Sequence, residues 1–246
     1  MELLIGFILS LMIGLTGVGA GILTTPLLIL IFNLEPAIAV GTALAFATVI
    51  KAYTGILYAF NGFYDRNTLI LLTVGGIPGV ILGSYLVSYF PFNHNYIMIF
   101  IGSIVVLTSI LNIYFSLRKR KTLIKLNFTP IIPIVSFLIG LEVGFSSVGA
   151  GVLVELLLLS FTNLSVPVVI GTSLLYGAFV SLAGSSTHAF LGNINYTLLF
   201  GLLFGGIIGA FVASRIINLL PRELLRYILL TLLTFFGISL IYRGVM

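Results

Sequence analysis

Two five-residue clusters, Gly17-Val18-Gly19-Ala20-Gly21 and Ser147-Val148-Gly149-Ala150-Gly151, interrupt the apolar runs 3–32 and 128–160. Both runs exceed the roughly 20 residues that a helix needs to cross a bilayer. Glycine in a helix interior costs about 1 kcal/mol relative to alanine, so clusters this rich in glycine favour a break over a continuous rod. A helix broken inside a membrane exposes the free N–H groups that open its second half, at the positive end of the helix dipole. That is the chemistry of an anion site. Gly19, Gly21, Gly149 and Gly151 lack a Cβ and let a ligand approach the backbone. The hydroxyls of Thr16, Thr24, Thr25, Ser146 and Ser147 offer further donors beside them. The plainer alternative is that these glycines only let helices pack closely in lipid.

Further candidates lie on neighbouring segments. Thr42 follows Gly41, and Thr172 and Ser173 follow Gly171; these hydroxyls either face the same pocket or bond back to carbonyls of their own helix. Lys51 stands ten residues before the Asn61-Gly62 turn, about 15 Å along a helix. A lysine near the helix centre costs about 2.5–3.5 kcal/mol on the insertion scale, so Lys51 faces protein, pairs with a carboxylate or meets a substrate anion. Glu142 and Glu155 flank the second cluster, as partners for a structural pair with Lys51 or as carriers of a coupling proton. His188, four residues before Gly192, reads as an interfacial histidine. With no cysteine and two histidines, neither a metal centre nor a cofactor is expected. Gly144-Phe145-Ser146-Ser147-Val148 opens like a serine nucleophile elbow but lacks its closing glycine. Ser146 or Ser147 with His188 is then the one catalytic pairing on offer, and no P-loop occurs. An enzyme is not expected.

The elements that must hold these residues are membrane helices. Of the 246 residues, 60% are apolar and 7% charged, against roughly 45–50% and 25% in a soluble domain. That leaves too little polar surface to coat a water-soluble globule. Lipid tolerates only helices or closed barrels, and the alternation of a membrane barrel is absent. Apolar runs at 3–32, 37–60, 68–90, 96–116, 128–160, 166–190, 196–217 and 224–242 predict an all-α integral membrane protein of about eight segments. The first and fifth are broken, either as full crossings or as re-entrant pairs. The N-terminus lacks the basic region of a removable signal peptide.

Shifting the chain against itself by 130 residues superposes Val18–Gly21 on Val148–Gly151, Gly41-Thr42 on Gly171-Thr172, Gly75-Gly76-Ile77 on Gly205-Gly206-Ile207 and Pro91 on Pro221. This predicts two homologous four-segment repeats, 1–116 and 128–246, joined by a basic linker at 117–127. Internal repeats with discontinuous helices are a construction of secondary transporters, whose substrates bind near the midplane between the halves. The linker residues Arg118-Lys119-Arg120-Lys121 are expected on the cytoplasmic side. With eight full crossings the halves are parallel, and Arg222 and Arg226 fall outside. With re-entrant first and fifth segments the halves are inverted, and Arg66, Arg215, Arg222 and Arg226 join the linker inside, which the charge distribution favours.

The glycine cluster followed by Pro26 and by Ala39-Val40-Gly41-Thr42-Ala43-Leu44, repeated as Val148–Gly151 and Val169-Ile170-Gly171-Thr172-Ser173-Leu174, resembles the sulfite exporter TauE/SafE family. The resemblance covers both halves. It implies a multi-pass cell-membrane secondary transporter, an exporter of small sulfur-containing anions such as sulfite or organosulfonates, working by alternating access. Thr16, Gly19, Gly21, Thr42, Ser147, Gly149, Gly151, Thr172 and Ser173 are the expected donors, with Lys51 as the source of positive field and Glu142 or Glu155 for proton coupling. The partners are the anion, a coupling proton and the bilayer, with a homodimer left open and no nucleic acid. A passive anion channel and an intramembrane serine protease are the competing functions. The second repeat departs from the first, with Leu156 in place of Pro26 and Ser147 in place of Gly17.

Overall fold

A computed structural model describes residues 1–16, 20–89, 93–117, 131–216 and 222–246. They form ten α-helices and, among the described residues, no strand: α1 Glu2–Thr16, α2 Ala20–Phe32, α3 Pro36–Phe60, α4 Arg66–Tyr89, α5 His94–Leu117, α6 Ile132–Ser146, α7 Val152–Phe161, α8 Val166–Phe190, α9 Tyr196–Ile216 and α10 Arg222–Val245. The fifth run divides at its glycine cluster; the first carries α1 and α2, between which residues 17–19 lie outside the described residues. Among the described residues, five helical stretches are long and apolar enough to cross a membrane: Pro36–Phe60, Arg66–Tyr89, His94–Leu111, Val166–Phe190 and Tyr196–Ala213. The protein is an α-helical, multi-pass integral membrane protein. The expected linker at 117–127 lies outside the described residues apart from Leu117.

Local sequence sets the helix ends. Pro36 and Pro167 open α3 and α8 within their first two positions, where a missing N–H costs nothing. Both helices close on a left-handed glycine, Gly62 at φ 72° and Gly192 at φ 77°. At the first end the amides of Gly62 and Phe63 return to Ala59 O and Tyr58 O, and at the second those of Gly192 and Asn193 return to Ala189 O and His188 O. This is the Schellman pattern of a helix stop. Asp65 then accepts the Thr68 amide at 2.8 Å and Asn195 accepts the Leu198 amide at 3.0 Å, which caps α4 and α9. Exposed tyrosines cluster near helix ends, at Tyr64, Tyr89, Tyr96, Tyr196 and Tyr242, as expected of residues with an apolar ring and a wet hydroxyl at a membrane surface.

The long helices pack through glycine. A Cβ added to Gly75, Gly79 or Gly83 of α4 would strike the carbonyls of Pro133, Phe137 or Leu141 of α6, and one on Gly140 or Gly144 would strike those of Gly76 or Val80. These contacts advance together along both chains, so α4 and α6 run parallel. Gly201, Gly205 and Gly209 of α9 lie in the same way against Glu2, Leu3 and Phe7 of α1. Each broken segment therefore leans its first arm on a helix from the other part of the chain. By contrast α3 and α8 run antiparallel, with Gly41 against His188 and Gly55 against Leu175. So do α5 and α10, where Gly102 meets Gly237 and Gly244 meets Asn95. A lateral apolar groove between α3 and α9, lined by Val49, Tyr53, Ile207 and Phe211 among others, opens on the outer surface away from both breaks.

Replacing Gly140 by Val should drive a side chain into the Gly76 backbone and destabilise the α4–α6 seam by at least the 1–3 kcal/mol typical of overpacking. Val74→Leu, on an outward face that is 64% exposed, should leave thermal unfolding in detergent unchanged. Equal melting of the two variants would show that the seam does not hold the fold.

Candidate functional site

The second glycine cluster is a true interruption. α6 stops at Ser146, Ser147 takes the left-handed conformation at φ 61° and ψ 1°, and Gly149 follows at φ 78°. The Ser147 amide returns to Val143 O at 2.7 Å, and the Val148 amide is taken by the Ser146 hydroxyl at 3.1 Å. Among the described residues the amides of Gly149, Gly151 and Val152, at the start of α7, have no acceptor. They form the electropositive helix start that the sequence predicts for an anion.

The break between α6 and α7 touches α2. Ser147 Oγ shares a hydrogen bond with Thr25 Oγ1 and donates to Gly21 O at 3.4 Å. A Cβ on Gly21 would overlap the Ser147 carbonyl, so the missing side chain lets the two backbones meet. Gly21 is thus a close-packing glycine, as the alternative reading of the cluster allows. Gly149 leaves space for the carboxylate of Glu142, whose Oε2 lies where a Cβ would be. Thr24, Thr25, Ser146 and Ser147 are all buried around this contact.

Charged side chains from α3, α6 and α7 interact in this region. Lys51 of α3 is 3% exposed, and its stem and ammonium lie over Gly177 of α8, with Nζ 3.1 Å from the place of a Cβ. The fields of Glu142 and Glu155 both act on it. Glu142 Oε1 accepts from Ser146 Oγ. Glu155, in the first turn of α7, lies 3.0 Å from Ser173 Oγ of α8, whose hydroxyl is also 2.9 Å from Ile170 O. Among the described residues no group of three or more His, Asp or Glu is arranged to hold a metal ion.

The structure therefore brings together Gly21, Lys51, Ser147, Gly149, Gly151, Glu142, Glu155 and Ser173 from the expected set, with Thr25 and Ser146 beside them. Gly19 and the side chain of Thr16 lie outside the described residues. Thr42 and Thr172 are placed elsewhere. Thr42 Oγ1 accepts the Asn195 amide at 3.0 Å and Thr172 Oγ1 accepts the Asp65 amide at 2.9 Å. Each pins the turn that follows the opposite long helix, which places it at a helix end. His188 is a correction of another kind: it is fully buried rather than interfacial, with Nε2 3.3 Å from Gly144 O. It sits against Gly41, where the absence of a side chain admits the imidazole. Sequence reasoning missed Gly177, which makes room for Lys51, and the capping pair Asp65 and Asn195. The 130-residue shift that aligns Thr42 with Thr172 also aligns Asp65 with Asn195, and that was the available signal.

Comparison with known proteins decides the class. The family model described as Sulfite exporter TauE/SafE matches residues 2–240. The chain belongs to the sulfite exporter TauE/SafE family. Among TauE/SafE relatives, a probable membrane transporter protein YjnA of Bacillus subtilis (strain 168) is 24% identical over 250 residues, covering 97% of this chain and 98% of the relative. A second, the probable membrane transporter protein YdhB of the same strain, is 25% identical over 232 residues, covering 91% and 92%. No solved structure matches. Membership in TauE/SafE makes the chain a membrane transporter and not an enzyme, so the serine–histidine pairing is set aside.

The contact between the breaks can be measured by a double-mutant cycle. Thr25→Val and Ser147→Ala should be non-additive by about 0.5–1.5 kcal/mol, the net worth of one buried hydrogen bond. Strict additivity in thermal unfolding would mean that the breaks do not hold each other.

Proposed function

We propose that this TauE/SafE member is a secondary transporter that exports small sulfur oxyanions, sulfite or an organosulfonate, through a site between the two breaks by alternating access. The observation that carries this reading is the contact of Ser147 with Thr25 and Gly21, in which the α6–α7 break meets α2, from a distant part of the chain, in the interior. A sulfur oxyanion needs several N–H and O–H donors and a positive field in a place that excludes water. The free amides around Gly149 and Gly151, the hydroxyls of Ser147 and Thr25 and the ammonium of Lys51 are donors of that kind. The description of the family supports sulfite as the first substrate to try.

The proposal includes two homologous halves of opposite orientation. Pro36–Phe60 and Val166–Phe190 lie 130 positions apart in the chain and run antiparallel, which favours inversion over parallel repeats. In that arrangement α1–α2 and α6–α7 are re-entrant hairpins entering from opposite faces, with three crossings in each half. The basic linker, Arg66 and Arg215 then share one face, as the positive-inside rule asks. The chain has no native cysteine, which makes topology simple to read. In sealed right-side-out membranes Leu191→Cys should react with an impermeant thiol reagent and Asn61→Cys should not. Protection of both in these membranes would favour parallel halves.

A carrier is preferred to a passive channel because the α6–α7 break is buried and hydrogen-bonded to α2. Labelled sulfite should accumulate transiently in preloaded proteoliposomes by counterflow, which a channel cannot do. Lys51→Met should weaken apparent sulfite affinity roughly 10- to 100-fold, the loss expected for one charge-assisted hydrogen bond, with thermal stability retained. Unchanged affinity would move Lys51 to a structural role.

A further inference from the structure

The site is not symmetric, and the asymmetry is acidic. At the position of Glu142 the first part of the chain carries Met12, and at that of Glu155 it carries Thr25. Glu155 is engaged with Ser173. Glu142 differs: Oε1 accepts from Ser146, while Oε2 is buried with no hydrogen-bond partner among the described residues. Ser146 Oγ in turn accepts the Val148 amide at 3.1 Å. A line of hydrogen bonds thus runs from the Val148 amide through the Ser146 hydroxyl to the carboxylate. It spans Ser147, the residue that holds the other break.

We propose that Glu142 is the proton site of this transporter, and that Ser146 relays its protonation to the α6–α7 break so that the anion and one proton move together, outward when the anion gradient exceeds the opposing proton gradient. This rests on the anion-carrier reading above. Fully ionised, Lys51, Glu142 and Glu155 leave one net negative charge around the break, which repels an anion. One proton on Oε2 makes the set neutral. It also weakens the bond from Ser146, and with it the hold on the Val148 amide beside Ser147. Anion binding and proton binding then favour each other, and by linkage the effect is reciprocal. The other titratable groups around α6 do not fill this role. Tyr176 and His188 come from α8; the tyrosine hydroxyl is engaged with Ser136, and His188 Nε2 lies against Gly144 O. Lys51 of α3 and Glu155 of α7 complete the set, since Arg66, Tyr85 and Tyr89 of α4 are exposed.

The test uses purified full-length protein in proteoliposomes with labelled sulfite, and with labelled sulfoacetate, whose charged groups stay ionised near neutral pH. In the wild type an imposed pH gradient should drive sulfoacetate movement together with protons, read by an internal pH dye. In Glu142→Gln the ratio of gradient-driven transport to counterflow should fall tenfold or more. Ser146→Ala, which keeps the carboxylate, should move the pH midpoint of transport by about half a unit or more. Glu142→Met copies the residue at the equivalent position and serves if Glu142→Gln does not fold. Full gradient-driven transport in the Glu142 variants overturns the proton role and leaves the anion site standing. An unmoved midpoint in Ser146→Ala overturns the relay. Absence of wild-type counterflow with both anions overturns the carrier reading, and the proton proposal falls with it.

Discussion

A helix cannot stop inside hydrocarbon unless something other than lipid meets the amides and carbonyls that it frees. This constraint organises the molecule. The break at Ser147–Gly151 is tolerated because it is buried against protein on every side, with Ser147, Val148 and Ala150 all at or near zero exposure. Part of the demand is met locally, by the Ser146 hydroxyl on the Val148 amide, and part from far away in the chain, by Thr25 and Gly21. The amides left over at the start of α7 are an unspent polar resource in a place that water does not reach freely. An anion is the natural guest for such a group of donors.

Holding the α6–α7 break against α2 requires rigid supports, and these are the glycine seams. α1 lies on α9 and α6 lies on α4 with backbone against backbone, because a Cβ at Gly205 or Gly79 would overlap a facing carbonyl. In lipid, association draws on packing and on interhelical hydrogen bonds more than on hydrophobic burial. Close approach is how these helices gain it. The arms of the breaks are thereby tied to the long helices of the other part of the chain, and Thr42 and Thr172 fasten the intervening turns. Movement of one set of helices against the other therefore reaches the breaks directly, which is the mechanical basis of the proposed alternating access.

The chemistry is concentrated where the resemblance between the two parts fails. Lys51 is matched by Ser181, Glu142 by Met12 and Glu155 by Thr25. Each of the three charged residues thus stands where its counterpart 130 positions away is uncharged, Lys51 in the first part of the chain and Glu142 and Glu155 in the second. Buried ionisable groups within a membrane are costly to keep. Three gathered around one break point to the handling of charge rather than to stability.

The sequence by itself determined that the chain is helical and membrane-embedded, where its long helices stop, and that the fifth run breaks at its glycines. These follow from local rules of apolar length, helix propensity, and left-handed glycine at Gly62 and Gly192, which do not depend on what a segment packs against. It also made the 130-residue repetition legible, and with it the family. The tertiary structure alone decided the partners. Nothing local distinguishes Thr42, spent on a turn, from Thr25, spent on the other break, nor shows that His188 is enclosed by Gly41 and α6. A hydroxyl or an imidazole takes whichever group the packing of distant helices sets before it, and that packing is a property of the whole chain.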